Sequence, residues 1–334
     1  MKRIAILGGG SWGTALALVL SRSRARHTFT LWVHDHGLCE RLRQTRRNDA
    51  YLPGFELPAE IGITHDMRTA CTGADIILGV VPAAHARTVY SEMLPYSTST
   101  MVFVSATKGL EPGSHARMSE VIAQVVTQRF LPRVAALSGP SFANEVARGD
   151  PTAVVIASSD PDLAAAIREE FSGPTFRLYS NNDLVGVELG GALKNVIALA
   201  AGICHGLGLG ANALAALITR GLAEITRLAV AAGGRLETLP GLAGMGDLVL
   251  TCTGELSRNR AVGIELGKGR SLAEILANMR MVAEGVSTTA AALELAHAAG
   301  VEMPITEQVN AVLRGGRAPG DAIREMMERP LRQE

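Results

Sequence analysis

The chain has 334 residues, of which 47% are hydrophobic, and its 32 basic and 32 acidic residues give a formal net charge of zero. A chain of this length is expected to form about two domains, each large enough to bury its own core. The balanced charge gives no reason to expect nucleic acid or an acidic membrane as a partner, so we expect a small, locally recognised molecule.

The first half of the chain alternates short apolar runs with segments of helical length. Seven runs predict strands: RIAIL (3–7), FTLWV (29–33), DIILGVV (75–81), MVFVSA (101–106), VAALS (134–138), AVVIA (153–157) and TFRLY (175–179). Runs rich in Val, Ile and Leu that are separated by helices indicate parallel βαβ units with both faces covered. The pattern therefore predicts a doubly wound sheet, and the basic stretch 41–48 is interpreted as a solvated helix face.

A glycine-rich motif, GGGSWG, follows the first strand and precedes the helical pattern of residues 14–20. In such a GxGxxG turn, Gly8 permits the tight bend, Gly10 lets a pyrophosphate approach the backbone, and Gly13 allows close helix packing. The N–H groups at the start of the helix can then face the phosphates. The position of the motif between strand and helix predicts a dinucleotide site.

The end of the second strand is where the choice of cofactor is expected to show. An NAD site usually has an acidic residue there to bind the ribose 2′-hydroxyl. In this chain the position falls near Val33, between Trp32 and the His34–Asp35 pair. His34 can meet a 2′-phosphate, so we expect NADP as well as NAD, with an ordinary surface histidine as the alternative.

Two lysines are candidates for chemistry on the substrate. Lys108 of SATKG follows the fourth predicted strand, at the sheet edge where open α/β sheets bind ligands; a solvated loop lysine is the alternative. Lys194 lies in GGALKN, where Gly190, Gly191 and Ala192 are small enough to let a ligand approach. Burial or a nearby cation can lower the pKa of a lysine towards neutrality and make it a general base. The alternative for Lys194 is an ammonium that reaches solvent over an apolar surface.

From about Asp183 onward the strand signal disappears and Ala- and Leu-rich stretches take over. We therefore predict a dinucleotide-binding domain over 1–182 and an all-helical substrate domain over 183–334. The uncharged segment 195–219 is long enough to raise a membrane span. Its central glycines favour a buried helical hairpin instead. Gly206 to Gly210, the second glycine-rich stretch, follows a helix and is given no phosphate role.

A third cluster, LSRNRAVG, begins at residue 256. Ser257 is a credible N-cap, and Arg258 and Asn259 add donors in the first turn, so the group can hold a phosphate or carboxylate. A capped surface helix is the alternative.

Four cysteines, at 39, 71, 204 and 252, have no CxxC spacing, and a chain of this length needs no disulfides. The N-terminus has no signal-peptide pattern. We expect reduced structural cysteines and a cytoplasmic protein. No HExxH motif or clustered His/Cys set predicts a metal.

Taken together, the motifs resemble those of the bacterial NAD(P)-dependent glycerol-3-phosphate dehydrogenases. They are GGGSWGTALA, SATKGLE, SGPSFANEV, GGALKNVIALAAG, ITRGLAE, GLAGMGDLVLTCT, SRNR, AEGVSTT and VEMPITE, and they run in the family's order from residue 3 to about residue 310. The resemblance implies a Rossmann lobe and a helical lobe like those of 6-phosphogluconate dehydrogenases. It also implies interconversion of dihydroxyacetone phosphate and sn-glycerol 3-phosphate with NADP or NAD, which feeds phospholipid synthesis.

The resemblance also implies roles for individual residues. Lys194 is the general base, and Lys108 contacts both substrate and cofactor. The substrate is surrounded by Gly139, Ser141, Asp247, Ser257, Arg258 and Asn259. The implied cofactor contacts beyond the glycine turn are Ser11, Trp12, His34, Ala143, Val282 and Glu284, with Arg258 touching both ligands.

This chain departs from the family's pattern in a few places. Ser141 stands where threonine is common, and Val33 stands where some relatives carry a basic residue. His205 and Ala211 replace acidic residues often found near the glycine-rich turn. The family often pairs subunits, so a homodimer is one expectation.

Two other functions stay open at this point. A related dehydrogenase acting on a 3-hydroxy acid or sugar acid shares the glycine turn and a helix-borne lysine, but its substrate carries a carboxylate. A nucleotide sensor without chemistry needs neither Lys108 nor Lys194.

Overall fold

The N-terminal half of the chain is built on one eight-stranded sheet. The structure, a computed structural model, describes residues 1–279 and 282–330. The strands of the sheet are β1 (Arg3–Leu7), β2 (Thr28–Trp32), β5 (Gly62–Thr64), β6 (Ile76–Gly79), β7 (Val102–Ser105), β8 (Arg133–Ser138), β9 (Thr152–Ala157) and β10 (Phe176–Asn181). A separate two-stranded ribbon pairs β3 (Arg47–Asn48) with β4 (Leu52–Glu56).

The strand order is β5-β2-β1-β6-β7-β8-β9-β10, and it reverses direction between β1 and β6. The six strands from β5 to β8 run parallel, which gives the dinucleotide-binding topology with its ligand crevice at the reversal. All seven predicted strands are confirmed within a few residues. The doubly wound sheet is confirmed, but the predicted parallel pairing is wrong at one place, because β9 runs antiparallel to β8.

Seven helices cover both faces of this sheet: α1 (Ser11–Ser21), α2 (His36–Thr45), α3 (Met67–Cys71), α4 (Ala83–Met93), α5 (Met118–Val126), α6 (Ala143–Arg148) and α7 (Pro161–Phe171). The alternation of side chains along β1 separates two cores: Ile4 and Ile6 pack with α1, whereas Ala5 and Leu7 pack with α4. The expected helix face over 41–48 is correct only as far as Thr45. Arg46 then adopts a left-handed conformation, with φ of 57°, and the chain turns into β3.

Helices make up the regular structure after β10. They are α8 (Leu184–Gly206), α9 (Ala211–Ala231), α10 (Asp247–Thr253), α11 (Arg258–Gly267), α12 (Leu272–Ala277), α13 (Glu284–Ala298), α14 (Pro304–Leu313) and α15 (Pro319–Met327), and one π-helical turn spans Leu242–Gly246. Short 3₁₀ turns occur at Leu94–Tyr96 and Leu236–Thr238. The prediction of a helical second half is confirmed.

Helix α8 runs through the middle of the helical half, and its residues from 189 to 204 are all buried. It is long and apolar enough to cross a membrane, but 83% of its most apolar window is buried inside the molecule. The chain turns at Gly208, with φ of 76°, and returns as α9, so the predicted helical hairpin is confirmed. Its predicted burial is correct only for the α8 arm, because residues 205–220 are all partly or fully exposed.

A glycine seam lets α11 lie directly on α8. A Cβ on Gly202 would lie 2.1 Å from the Arg260 carbonyl, and one on Gly263 would lie 2.1 Å from the Leu199 carbonyl. Such backbone contact is open only to glycine. The seam therefore fixes the start of α11 against α8.

Candidate active site

The glycine turn has the geometry that a dinucleotide needs. Gly8 has φ of 132°, and a Cβ on Gly13 would lie 1.9 Å from the Gly8 carbonyl, so both positions require glycine. Gly10, the N-cap of α1, has open space beside it. Since the first intrahelical bond runs from the Thr14 N–H to the Gly10 carbonyl, the earlier N–H groups of the turn are left for an anion.

Two further residues of the turn carry hydrogen-bond donors. The indole Nε1 of Trp12 is buried and lacks a hydrogen-bond partner among the described residues. The Ser11 hydroxyl donates to the Tyr51 carbonyl at 2.6 Å, which ties the start of α1 to the ribbon loop. The unpartnered indole N–H of Trp12 and the open space at Gly10 fit a bound dinucleotide.

Three residues at the end of β2 are candidates for contact with the ribose of the cofactor, and the structure distinguishes them. Val33 is 1% exposed and packs against Gly9, so it belongs to the core. Asp35 accepts the Leu38 N–H at 2.5 Å and thereby caps α2. His34 is exposed beside the Trp32 ring, with ring centroids 5.6 Å apart. His34 is therefore the polar side chain of this pair that is free of capping.

Lys194 lies at the centre of the second site. Its side chain is on α8, the residue is 6% exposed, and Nζ donates to Oδ1 of Asp247 at 2.5 Å and to the Thr251 hydroxyl at 2.8 Å. The alternative of an ammonium in solvent is therefore wrong. Asp247 is fully buried at the start of α10, where the π-helical turn ends.

Lys108 approaches the same carboxylate from the sheet. Its Nζ donates to Oδ2 of Asp247 at 2.7 Å, to the Gly139 carbonyl at 2.7 Å and to the Ser141 hydroxyl at 3.3 Å. Lys108 follows β7 and Gly139 follows β8, so the loops at the carboxyl ends of adjacent strands meet α10 here. The loop-lysine alternative is wrong as well.

This arrangement changes the acidity of Lys194. The pKa of Lys194 falls to about 7, mainly because of burial; Asp247 opposes the shift by favouring the ammonium, and the nearby charge of Lys108 adds to it. A lysine with this pKa exchanges a proton near neutral pH, which is what a general acid or base requires.

The small residues before Lys194 serve the protein's own packing. A Cβ on Gly190 would lie 2.8 Å from the Ala243 carbonyl in the π-helical turn, and one on Gly191 would lie 2.5 Å from the Ser138 hydroxyl. The expectation that these glycines admit a ligand is wrong, because protein atoms fill that space. They bring the turn that carries Asp247 against α8.

The SRNR cluster is linked to α8 by a hydrogen bond to Asn195, the residue that follows Lys194. The amide of Asn259 donates to Oδ1 of Asn195 at 2.9 Å and accepts the Gly285 N–H at 2.9 Å. Ser257 caps α11 by accepting the Arg260 N–H at 3.2 Å. The cap leaves the N–H groups of the first two helical residues without an intrahelical acceptor, so this helix start can receive an anion.

Arg258 adds a charge at that helix start. Arg258 is an exposed residue, and its guanidinium donates from Nη1 to the Val282 carbonyl at 3.0 Å. Glu284, at the start of α13, accepts the Ala83 N–H of α4 at 3.1 Å and so joins the two halves of the chain. Burial raises the pKa of the Glu284 carboxyl, opposed by this N–H and by Arg258.

Ala143 is placed differently from the polar candidates. It begins α6 beyond β8 and packs, partly buried, against the sheet core near α1. Its side chain can offer only an apolar wall.

Two residues of the site were missed from the sequence. Asn195 follows Lys194 directly and links α8 to α11, and Thr251 bridges Lys194 and the Asp247 carbonyl. Asp247 and Thr251 are four residues apart, the spacing that places two side chains on one helix face. The four-residue spacing from Asp247 is the sequence feature that could have identified Thr251 as part of the site.

A large groove lies elsewhere in the helical half. It has a volume of about 1390 Å³ and apolar walls from α9, α14 and α15, including Leu217, Val309 and Met326. It lies away from Lys194 and Asp247, so we assign the chemistry to the lysine site.

Comparison with known proteins gives one consistent family. The family model described as the N-terminus of NAD-dependent glycerol-3-phosphate dehydrogenase matches residues 3–164, and the model for its C-terminus matches residues 183–324. A relative from Koribacter versatilis named glycerol-3-phosphate dehydrogenase [NAD(P)+] is 60% identical over 99% of this chain and 98% of its own.

Another relative of the same name, from Acidobacterium capsulatum, is 53% identical over the full length of both chains. Among solved structures, glycerol-3-phosphate dehydrogenase from Coxiella burnetii superposes with a TM-score of 0.93 at 41% identity, covering 98% of this chain and 99% of its own.

Proposed function

Because this chain belongs to the family of NAD-dependent glycerol-3-phosphate dehydrogenases, we propose how its residues carry out that family's reaction. The enzyme interconverts dihydroxyacetone phosphate and sn-glycerol 3-phosphate with NAD(P)H as the hydride carrier. The alternative of a 3-hydroxy-acid or sugar-acid dehydrogenase is not favoured, since both halves of the chain match the glycerol phosphate family.

Lys194 is the proton donor and acceptor in this proposal. During reduction its ammonium gives a proton from Nζ to the ketone oxygen as negative charge develops there, and during oxidation neutral Nζ takes the hydroxyl proton. The observation that carries the proposal is a buried Nζ held by Asp247 and Thr251, where burial lowers the pKa of the ammonium towards neutrality. Bound NAD(P)H supplies the hydride.

Lys108 and the helix start at Ser257 position the substrate in this proposal. Lys108 shares the carboxylate of Asp247 with Lys194, so a ketone or hydroxyl that contacts Nζ of Lys108 also lies near the base. The N-terminus of α11 with Arg258 then holds the phosphate, which fits its free N–H groups and its positive charge. Gly139, Ser141 and Asn259 complete the walls of the site.

The cofactor is held by the glycine turn of Gly8, Gly10 and Gly13 with Ser11 and Trp12. His34 lies at the end of β2 where the ribose 2′-substituent is expected, which supports use of NADP beside NAD. We place Ala143, Val282, Glu284 and Arg258 along the remaining cofactor surface.

We further propose the cellular setting. The dinucleotide-binding domain spans 1–182 and the helical domain spans 183–334 in this proposal. Residues 280–281 and 331–334 of the helical domain lie outside the described residues. The product feeds glycerophospholipid synthesis in the cytoplasm, without nucleic acid or membrane insertion, and the chain can pair as a homodimer. Light scattering after size exclusion tests the last point.

The direct test of the mechanism is Lys194→Ala. We expect a loss of kcat of at least about 100-fold, since general acid–base catalysis contributes roughly 10² to 10⁴, with near-normal cofactor affinity in a binding titration. The assay follows NADPH and NADH oxidation with dihydroxyacetone phosphate. Lys268→Ala, which removes a surface lysine on Glu265, is the matched control. Full turnover in Lys194→Ala would reject the assigned base.

A further inference from the structure

Three side chains with metal-binding groups meet at the edge of the sheet, outside the lysine site. They are His36, Glu40 and His65, and the ligand atoms that they offer all lie within 4.8 Å of one another. The two imidazole rings meet nearly edge to face, with centroids 4.4 Å apart and planes at 69°. The expectation of no clustered ligands is wrong for this set, which is not evident in the sequence because three strands, β3 to β5, separate His65 from the other two residues along the chain.

We propose that His36, Glu40 and His65 form a binding site for one borderline divalent transition-metal ion, of which Zn²⁺ is the type. Two imidazoles and one carboxylate are a ligand set that Zn²⁺ uses, whereas Ca²⁺ and Mg²⁺ prefer oxygen ligands alone. Three protein ligands leave a fourth position for water. The proposal concerns metal binding alone and is independent of the dehydrogenase reaction.

The backbone under the three ligands is already fixed. His36 is the first residue of α2, whose N-terminus is capped by Asp35, and Glu40 follows one turn later on the same face. His65 comes directly after β5, and its carbonyl accepts the Trp32 indole N–H at 3.0 Å. Since β5 pairs with β2 in register, helix and loop are held to one another through the sheet.

The closure required is small. Zn–N bonds of about 2.0–2.1 Å place tetrahedral ligand atoms roughly 3.4 Å apart. The ligand atoms, which lie within 4.8 Å of one another, therefore need to approach by at most about 1.4 Å. Both histidine side chains are exposed and can rotate without disturbing the core. The four cysteines are buried and free, so thiols inside the folded chain are shielded from a competing role.

A neighbouring arginine lowers the expected affinity for a cation. Arg43 donates from Nη1 to Oε1 of Glu40 at 2.8 Å and from Nε to the Ile63 carbonyl at 2.9 Å. The arginine engages one carboxylate oxygen and leaves Oε2 for the ion, but its positive charge opposes a second cation. We therefore expect a micromolar rather than a nanomolar dissociation constant.

Calorimetric titration of the full chain with Zn²⁺ tests the proposal, with Co²⁺ absorption as the readout of geometry. The expected result is one ion per chain and d–d bands of a four-coordinate Co²⁺ site. His65→Asn and Glu40→Gln should each weaken binding at least tenfold, because each removes one of three ligands. His297→Asn, which changes an exposed histidine on α13, is the control and should bind as the parent does.

Folding is followed separately through the melting temperature without metal, which should be nearly unchanged because the substituted side chains lie at the surface. Zn²⁺ should raise the melting temperature of the parent chain and of His297→Asn, but not that of His65→Asn. Binding that is unaffected by His65→Asn and Glu40→Gln, or no binding up to millimolar Zn²⁺, would overturn the assignment.

Discussion

Replacing Asp247 with asparagine should move the pH dependence of ketone reduction to lower pH. Asp247 is fully buried and its two oxygens hold Lys194 and Lys108 at 2.5 and 2.7 Å. The substitution keeps the shape of the side chain and removes its negative charge. Both ammonium groups then lose their shared counter-ion, so the neutral form of Lys194 becomes more favourable and its pKa falls below about 7.

The size of the shift follows from the short contact. At an effective dielectric constant of about 20, opposite charges about 3 Å apart attract by roughly 5 kcal/mol, equivalent to about 4 pKa units. Lys108 shares the carboxylate, and water can enter the altered site, so we expect a fall of about 1 to 3 units. Since reduction requires protonated Lys194, activity should decline with rising pH around a midpoint lower by that amount.

The assay is the pH profile of kcat for dihydroxyacetone phosphate reduction, measured for the variant beside the parent chain so that titration of the substrate phosphate cancels. Glu224→Gln is the control, because Glu224 is another buried carboxyl of the helical half, with its pKa raised to about 7 by burial, but it binds the N-terminus of α14. The Glu224→Gln substitution should leave the pH profile of kcat unchanged. An unshifted or upward-shifted midpoint in Asp247→Asn would refute the electrostatic reasoning.

Three other predictions address the phosphate site, the glycine seam and pH-dependent stability. Arg258→Ala should raise KM at least tenfold for dihydroxyacetone phosphate but hardly change kcat/KM for unphosphorylated dihydroxyacetone, because a charged hydrogen bond contributes about 1.5–3 kcal/mol; equal effects on both substrates would contradict a phosphate contact. Gly202→Val, whose Cβ would lie 2.1 Å from the Arg260 carbonyl, should lower the free energy of unfolding by about 1–3 kcal/mol in urea and raise KM, whereas Gly320→Ala, with open space around it, should do neither. Burial raises the pKa of Glu224, which is 2% exposed, from its ordinary value of 4.5 to about 7 in the folded chain. The folded chain therefore holds a proton that the unfolded chain releases, and stability is lost as pH rises from 4.5 to 7. Relative to Glu224→Gln, the parent should lose about 3 kcal/mol over that window in urea melts, and a constant difference would exclude the shift.

The sheet could be predicted because its strands are buried on both faces. Continuous runs such as IILG of β6 and VFVS of β7 are apolar for that reason, and they stand out between helices. The direction of β9 could not be predicted, since Val155 and Ile156 are buried just as they would be in a parallel strand. The ribbon of β3 and β4 was missed because its residues are mostly exposed and include Pro53 and Gly54.

The site was predictable where a residue type has few other uses. A lysine inside an apolar helix and a glycine turn after a strand both indicate function, and Lys194 and Gly8 are where such residues were expected. The role of Gly190 was misjudged because a glycine beside a lysine looks the same whether a ligand or a backbone approaches it. Only the fold shows that Ala243 is the neighbour.

Two residues of the GGALKN segment, besides Lys194 itself, fix the surroundings of the ammonium. Gly190 lets the π-helical turn approach α8, and such turns are frequent at functional sites because they redirect the residues that follow them. Asp247 directly follows this turn, and its carboxylate favours the protonated form of the buried Lys194. Asn195 then ties the same helix to Asn259 at the anion-binding start of α11. A shift of α8 by even 1 Å would therefore alter the proton donor, its counter-ion and the phosphate site together, which is why the helix is packed through glycine on two sides.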